Sequence, residues 1–156
     1  RKEELMETLG AALEREHHEI DEGIAAFLSE PSRTEPLAQA MAGLQRHIYL
    51  EEEFLFPPLR EAGMMAPIFV MLREHGEMWA TLAALAEELT DPSATGAATN
   101  HCRELVGQLE RHNAKEEQIL YVQADSVLTA AASAELQEFM ASGRLPDGWV
   151  CIKART

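Results

Sequence analysis

The chain has 156 residues, 46% of them hydrophobic, and a formal net charge of −14 at pH 7, enough length to bury one substantial core without a disulfide or metal prop. So acidic a composition excludes nucleic acid and anionic membrane as partners, since both need a basic face. Cys102 and Cys151 form neither a disulfide framework nor a zinc knuckle, no run approaches the roughly 20 apolar residues that span a bilayer, and no apolar leader opens the chain, so a cytoplasmic protein with reduced thiols is expected.

From about Lys2 to Ser29, the residues Leu5, Leu9, Leu13, Ile20, Ile24 and Leu28 fall on one helical stripe. His17 fills the gap in that stripe, while His18 shares a face with Glu14, Asp21 and Glu22 and should look at solvent. The stretch Glu30 to Pro36 reads as a helix stop and restart. A second helix, about Pro36 to Glu61, turns Leu37, Met41, Leu44 and Ile48 inward with His47 and Glu51 beside them. Pro57 and Pro58 predict that the helix kinks or loosens just beyond that turn, and Gly63 ends it. A third helix, about Pro67 to Thr90, carries Ile68, Leu72, Met78, Leu82, Leu85 and Leu89 on its stripe, with His75 among them. After the polar break Asp91 to Asn100, a fourth helix to about Ala124 places Leu105, Leu109, His112, Glu116 and Ile119 on one side. Alternating β-branched runs are absent. These elements predict an all-α fold: an up-down-up-down four-helix bundle over residues 1–125. Residues 126–156 are expected to form a tail packed on the bundle, helical around Ser133 to Ala141 and extended after Gly143.

The chemistry lies in two internal repeats. HIYLEEEFLFPPL from His47 has a near-copy, HNAKEEQILYVQA, from His112, and REHHEIDEGIAAFL from Arg15 aligns with REHGEMWATLAAL from Arg73, matching His17 to His75. Each half thus supplies one lone His and one His followed four residues later by Glu. Residues four apart on a helix share a face, so His47 with Glu51 and His112 with Glu116 stack an imidazole over a carboxylate. Four buried imidazoles and two buried carboxylates with no cation among them would carry a large desolvation cost. A mixed nitrogen and oxygen donor set favours iron or manganese over thiolate-seeking metals. Two octahedral metals offer about twelve positions. Four imidazoles, two bridging carboxylates and one oxo or hydroxo bridge fill all but about two of these, so dioxygen, peroxide or nitric oxide could reach the metals. Bound imidazoles need outer acceptors, for which Glu19, Asp21, Glu52 and Glu77 are candidates. Glu52 and Glu117 otherwise read as solvated acids or outer partners of the ligands, His18 and His101 as surface residues, and Met41, Met71, Met78, Phe56 and Tyr121 as packing.

The series His17, His47xxxGlu51, His75, His112xxxGlu116 resembles the hemerythrin-like group, or HHE cation-binding domains, over about the first 125 residues. The resemblance implies a non-haem di-iron centre with an oxo or hydroxo bridge, held by His17, His47, Glu51, His75, His112 and Glu116, with manganese as an alternative at one position. Oxygen-carrying relatives have a fifth His four residues after the third-helix His, where this chain has Trp79, a packing residue or a shield over the metals. They also place the last carboxylate five residues after the final His, at Glu117; the internal repeat favours Glu116, and Glu117 stands as the alternative. The expected function is redox chemistry on peroxide or nitric oxide, catalase- or peroxidase-like, with no acid or base identifiable beyond a guess at Asp21. Sensing, storage or binding of dioxygen, nitric oxide or iron without turnover, read out through the tail or a partner, is the alternative, and a structural bundle with incidental metal affinity ranks third. The sequence leaves the oligomeric state open.

Overall fold

A computed structural model describes residues 7–155, and every regular element among them is helical. Helix α1 spans Leu9–Ser29; the expected start near Lys2, with Leu5, lies outside the described residues. Its first turn is tied down twice. The Thr8 hydroxyl accepts from the Ala11 amide, and the Asp125 carboxylate accepts from the amides of Leu9 at 2.9 Å and Gly10 at 3.3 Å. A carboxylate there satisfies orphan donors and complements the helix dipole, fastening the end of the fourth helical segment to the start of the first.

Helix α2, Glu35–Leu50, runs into a π-helical turn, Glu51–Leu55, and on into α3, Phe56–Glu61. Gly63, with φ of 100°, makes the left-handed turn to α4, Met65–Glu88. After a 3₁₀ turn at Pro92–Ala94, helix α5, Thr95–Lys115, repeats the pattern with a π turn, Glu116–Leu120, and then α6, Tyr121–Val127. Helix α7, Ala130–Ser142, an extended run and a 3₁₀ turn at Ile152–Ala154 follow. No helix among the described residues is long and apolar enough to cross a membrane.

The expected kink or loosening just beyond the ligand turn is a widened π turn, Glu51–Leu55, ahead of both prolines. In both copies the amide five residues on bonds back to the repeat Glu: Phe56 to Glu51 and Tyr121 to Glu116. The second copy has Val122 and Gln123 where the first has prolines, so proline is not the cause. The extra residue shifts the face that follows by about 100°. It buries Leu120 and Tyr121 and leaves Ile119, expected in the core, 44% exposed.

Buried apolar residues form two clusters. One gathers Ile20, Ile24, Leu44, Met78, Leu82 and Leu109 with their neighbours, and the other Leu9, Leu13, Leu55, Phe56, Leu72 and Leu120 with theirs. His17, His75 and His112 fall in sequence between residues of the first cluster and residues of the second, so the core is split by a polar layer. The tail belongs to both clusters, through Cys151 in the first and Leu136 in the second. The tail also passes close over Gly76, where a Cβ would lie 2.9 Å from Lys153 Cβ. Trp149 packs edge-on against Trp79 at 5.6 Å and against Tyr49 at 5.1 Å. Gly76→Val is therefore expected to lift the Ile152–Ala154 turn and expose Trp149. A red-shifted tryptophan emission with unchanged far-ultraviolet circular dichroism checks it, and an unshifted emission contradicts it.

Candidate metal centre

The six residues singled out by the repeats are all buried, each at 2% exposure or less. They converge as two groups, His17, His47, Glu51 and Glu116, and Glu51, His75, His112 and Glu116, each offering ligand atoms within 4.8 Å of one another. The groups share both carboxylates. Glu51 turns Oε2 to His47 Nε2 at 3.2 Å and Oε1 to His75 Nε2 at 3.0 Å. Glu116 turns Oε1 to His17 Nε2 at 3.1 Å and Oε2 to His112 Nε2 at 2.9 Å. The π turns begin at Glu51 and Glu116, so each carboxylate keeps its place one turn after the His of its own helix while its other oxygen reaches a His of another segment.

The opposite edge of every ring is held by a glutamate. The Nδ1–H groups donate to Glu117 from His17 at 2.8 Å, to Glu16 from His47 at 2.8 Å, to Glu52 from His75 at 2.7 Å and to Glu74 from His112 at 2.9 Å. Each glutamate sits on one helical segment and holds the histidine of the next: α1 to α2, the first π turn to α4, α4 to α5, and the second π turn back to α1. Such partners fix tautomer and ring orientation and raise the basicity of the other nitrogen. Here that nitrogen is Nε2, and in all four rings it faces a carboxylate oxygen.

That geometry calls for positive charge. With Nδ1 donating, a neutral ring aims a lone pair at a carboxylate, so a proton or a metal ion must lie between them. Burial alone would lower the His47 imidazole, but Glu51 and Glu16 offset it and carry it to about 10. Burial also opposes charge on His75 and His112, and their carboxylate neighbours outweigh it, raising His75 well above 6.5 and His112 less far. Glu116 feels the converse: burial would raise it, while His112, His17 and His75 hold it well below the usual range. Its Oε2, although 2.9 Å from His112 Nε2, makes no aligned hydrogen bond and is a buried oxygen without a partner. A buried anionic oxygen facing two imidazoles suits a cation.

Residues 8–124 match the hemerythrin HHE cation-binding domain as a family. The chain belongs to that family. No curated protein and no solved structure matches the chain significantly. The HHE domain binds cations, and the two buried His and Glu groups of this member could hold metal ions.

Some residues singled out in the sequence take other places in the HHE domain. Glu117 is turned to His17 Nδ1 and Glu116 into the shared layer. Of the four candidate acceptors only Glu52 reaches a ring. Glu19 and Glu77 are exposed and pair with Arg15 and Arg73, and Asp21 lies on the exposed face of α1. All three lie on the exposed faces of their helices. Glu16 and Glu74 were missed although the repeat marks them, since each immediately precedes a lone His in the REH motif. Trp79 contacts Trp149 of the tail. His18 is exposed, and His101 is half-buried and bound to Glu88. Glu74, held to about 2 by His112 and Lys115 against the effect of its burial, is the acceptor to test. Glu74→Gln is expected to weaken metal binding by about 10- to 100-fold, the usual cost of losing such a partner, measured by competition with a coloured chelator; unchanged affinity contradicts that role.

Proposed function

We propose that the chain forms an up-down-up-down four-helix bundle over residues 1–125, with residues 126–156 packed on it, and that this bundle is a non-haem di-iron protein reacting with a small diatomic or peroxide ligand. One iron would be held by His17 and His47, the other by His75 and His112, with Glu51 and Glu116 bridging both. The single observation that carries the reading is the sharing of both carboxylates between two otherwise separate His pairs. Iron in such a pair supplies one-electron changes of oxidation state and positions open to small ligands.

The protein's part is then definite. The four outer glutamates keep each Nε2 turned inward, and the apolar clusters on both sides of the layer limit the approach of water. Peroxide or nitric oxide turnover by an oxidoreductase of this kind is tested by loading the protein with iron and comparing peroxide consumption with the same concentration of free iron. Turnover well above free iron supports the proposal, and turnover no greater than free iron contradicts it.

One observation favours a second reading, sensing of dioxygen, nitric oxide or iron without turnover. The tail touches one of the outer glutamates and is linked to a second through Arg46 of α2. The Ile152 amide donates to Glu52 Oε1 at 2.9 Å, and Glu52 Oε2 accepts from His75. Arg46 donates to the last carbonyls of α7, at Phe139, Met140 and Gly143, and reaches Glu16, the acceptor for His47, at 3.4 Å. A change at the metals could therefore move the tail. Trp149 emission that responds to nitric oxide in the iron-loaded protein, without turnover, would favour sensing; an emission indifferent to ligand would remove this reading.

A further inference from the structure

The two halves of the centre come from one repeat yet differ at a ring that reaches the ligand layer. Five positions after Glu51 the chain has Phe56, and five positions after Glu116 it has Tyr121. The π turns bring both rings into the layer. Phe56 stacks on His75, with 5.5 Å between centroids and 17° between planes, and offers no polar atom. Tyr121 stacks on His17 at 5.3 Å, and its oxygen lies 2.9 Å from His47 Nε2, 3.0 Å from His17 Nε2 and 3.0 Å from Glu116 Oε1. The hydroxyl also donates to Glu51 Oε2.

Those four residues are the whole of the first ligand group. A phenol has one proton to give and two lone pairs, so a bond to a single acceptor would satisfy it. Here the oxygen is surrounded by one atom from each of His17, His47, Glu51 and Glu116. Packing does not require it, since Phe56 fills the corresponding place in the other half without a hydroxyl. Hydrophobic burial of the ring does not explain it either, because an oxygen set among imidazoles and carboxylates costs solvation that a phenyl would not.

We infer that Tyr121 is a seventh protein ligand, a phenolate on the metal held by His17 and His47, so that the two metal positions are chemically unequal. This rests on the di-iron reading. On ferric binding the Tyr121 O–H bond breaks, an iron–oxygen bond forms and the proton leaves to solvent, with no electron transferred. An anionic oxygen donor favours the harder, more oxidised ion, so the His17 and His47 side should hold its ferric state more firmly. The corresponding ring on the His75 and His112 side is Phe56, which cannot coordinate. The more open metal is therefore the one held by His75 and His112, and a small ligand such as azide or nitric oxide binds there.

Ferric-loaded whole protein, examined by visible absorption and resonance Raman spectroscopy, tests this directly. The expected result is a phenolate-to-iron charge-transfer band whose excitation enhances tyrosine ring modes, and Tyr121→Phe should lose the band while retaining the iron content of the wild type. Equal iron content with an unchanged spectrum in Tyr121→Phe overturns the assignment. If Tyr121→Phe fails to fold or to load, wild-type protein grown with ring-deuterated tyrosine still decides, because enhanced modes must shift with the label. The other tyrosine, Tyr49, packs between Phe54, Phe139 and Trp149 and is outside the ligand groups. Two irons bound with no enhanced tyrosine modes overturn the ligand and leave the di-iron reading standing. Failure to bind iron at all overturns both.

Discussion

Glu116→Ala is expected to cost the protein both metal ions, whereas His47→Ala should cost one. Glu116 belongs to both ligand groups, while His47 belongs to one. Losing Glu116 leaves each position with two imidazoles and one carboxylate, and it also removes the anion that balances His17, His75 and His112. The fall in affinity should exceed the roughly 100-fold upper range for an outer partner. His47→Ala leaves His75, His112 and both carboxylates in place. Metal analysis after dialysis against dilute ferrous iron distinguishes the two variants: a metal content near zero for Glu116→Ala and half that of the wild type for His47→Ala. Equal losses would contradict shared carboxylates.

The second large effect is the pH dependence of the metal-free protein. The raised imidazole of His47, ordinarily 6.5 and here about 10, binds its proton more tightly folded than unfolded. Its contribution is fully present below 6.5 and is lost as pH rises through about 10, a loss on the order of 5 kcal/mol. Glu74, lowered from 4.5 to about 2, acts in the opposite sense: its contribution is present above 4.5 and disappears as pH falls through about 2. Metal-free protein should therefore be most stable between about 4.5 and 6.5 and unfold progressively toward pH 10. Metal displaces those ring protons, so the loaded protein should lack the alkaline loss. Urea unfolding midpoints of both forms across pH measure this, and a metal-free protein equally stable at pH 6 and pH 10 would contradict it.

What could be read in advance depended on how each feature repeats. The apolar stripes of α1, α2, α4 and α5 have helical spacing, and the histidines interrupt them at places where only a polar layer would be tolerated. The outer glutamates also repeat, as Glu16 with Glu74 and Glu52 with Glu117, but the rule pairing each with the histidine of the next segment needs the packing of helices, which spacing within one helix does not contain. The π turns leave no such trace. Glu51 and Glu116 are at the normal fourth place after His47 and His112, and the extra residue shows only afterwards, when Ile119 faces out and Tyr121 faces in. Helical spacing alone therefore leaves Tyr121 among the packing residues. Its hydroxyl is a polar departure from Phe56 in the repeat, and that difference is present in the sequence.

The central claim is that two metal ions share Glu51 and Glu116. Crystals of the iron-loaded protein, measured with x-rays on either side of the iron absorption edge, address it without reference to activity. Two anomalous peaks are expected about 3.5–4 Å apart, the separation usual in two-metal sites, one beside His17 and His47 and the other beside His75 and His112. A single peak, or two peaks that do not both contact Glu51 and Glu116, would contradict it.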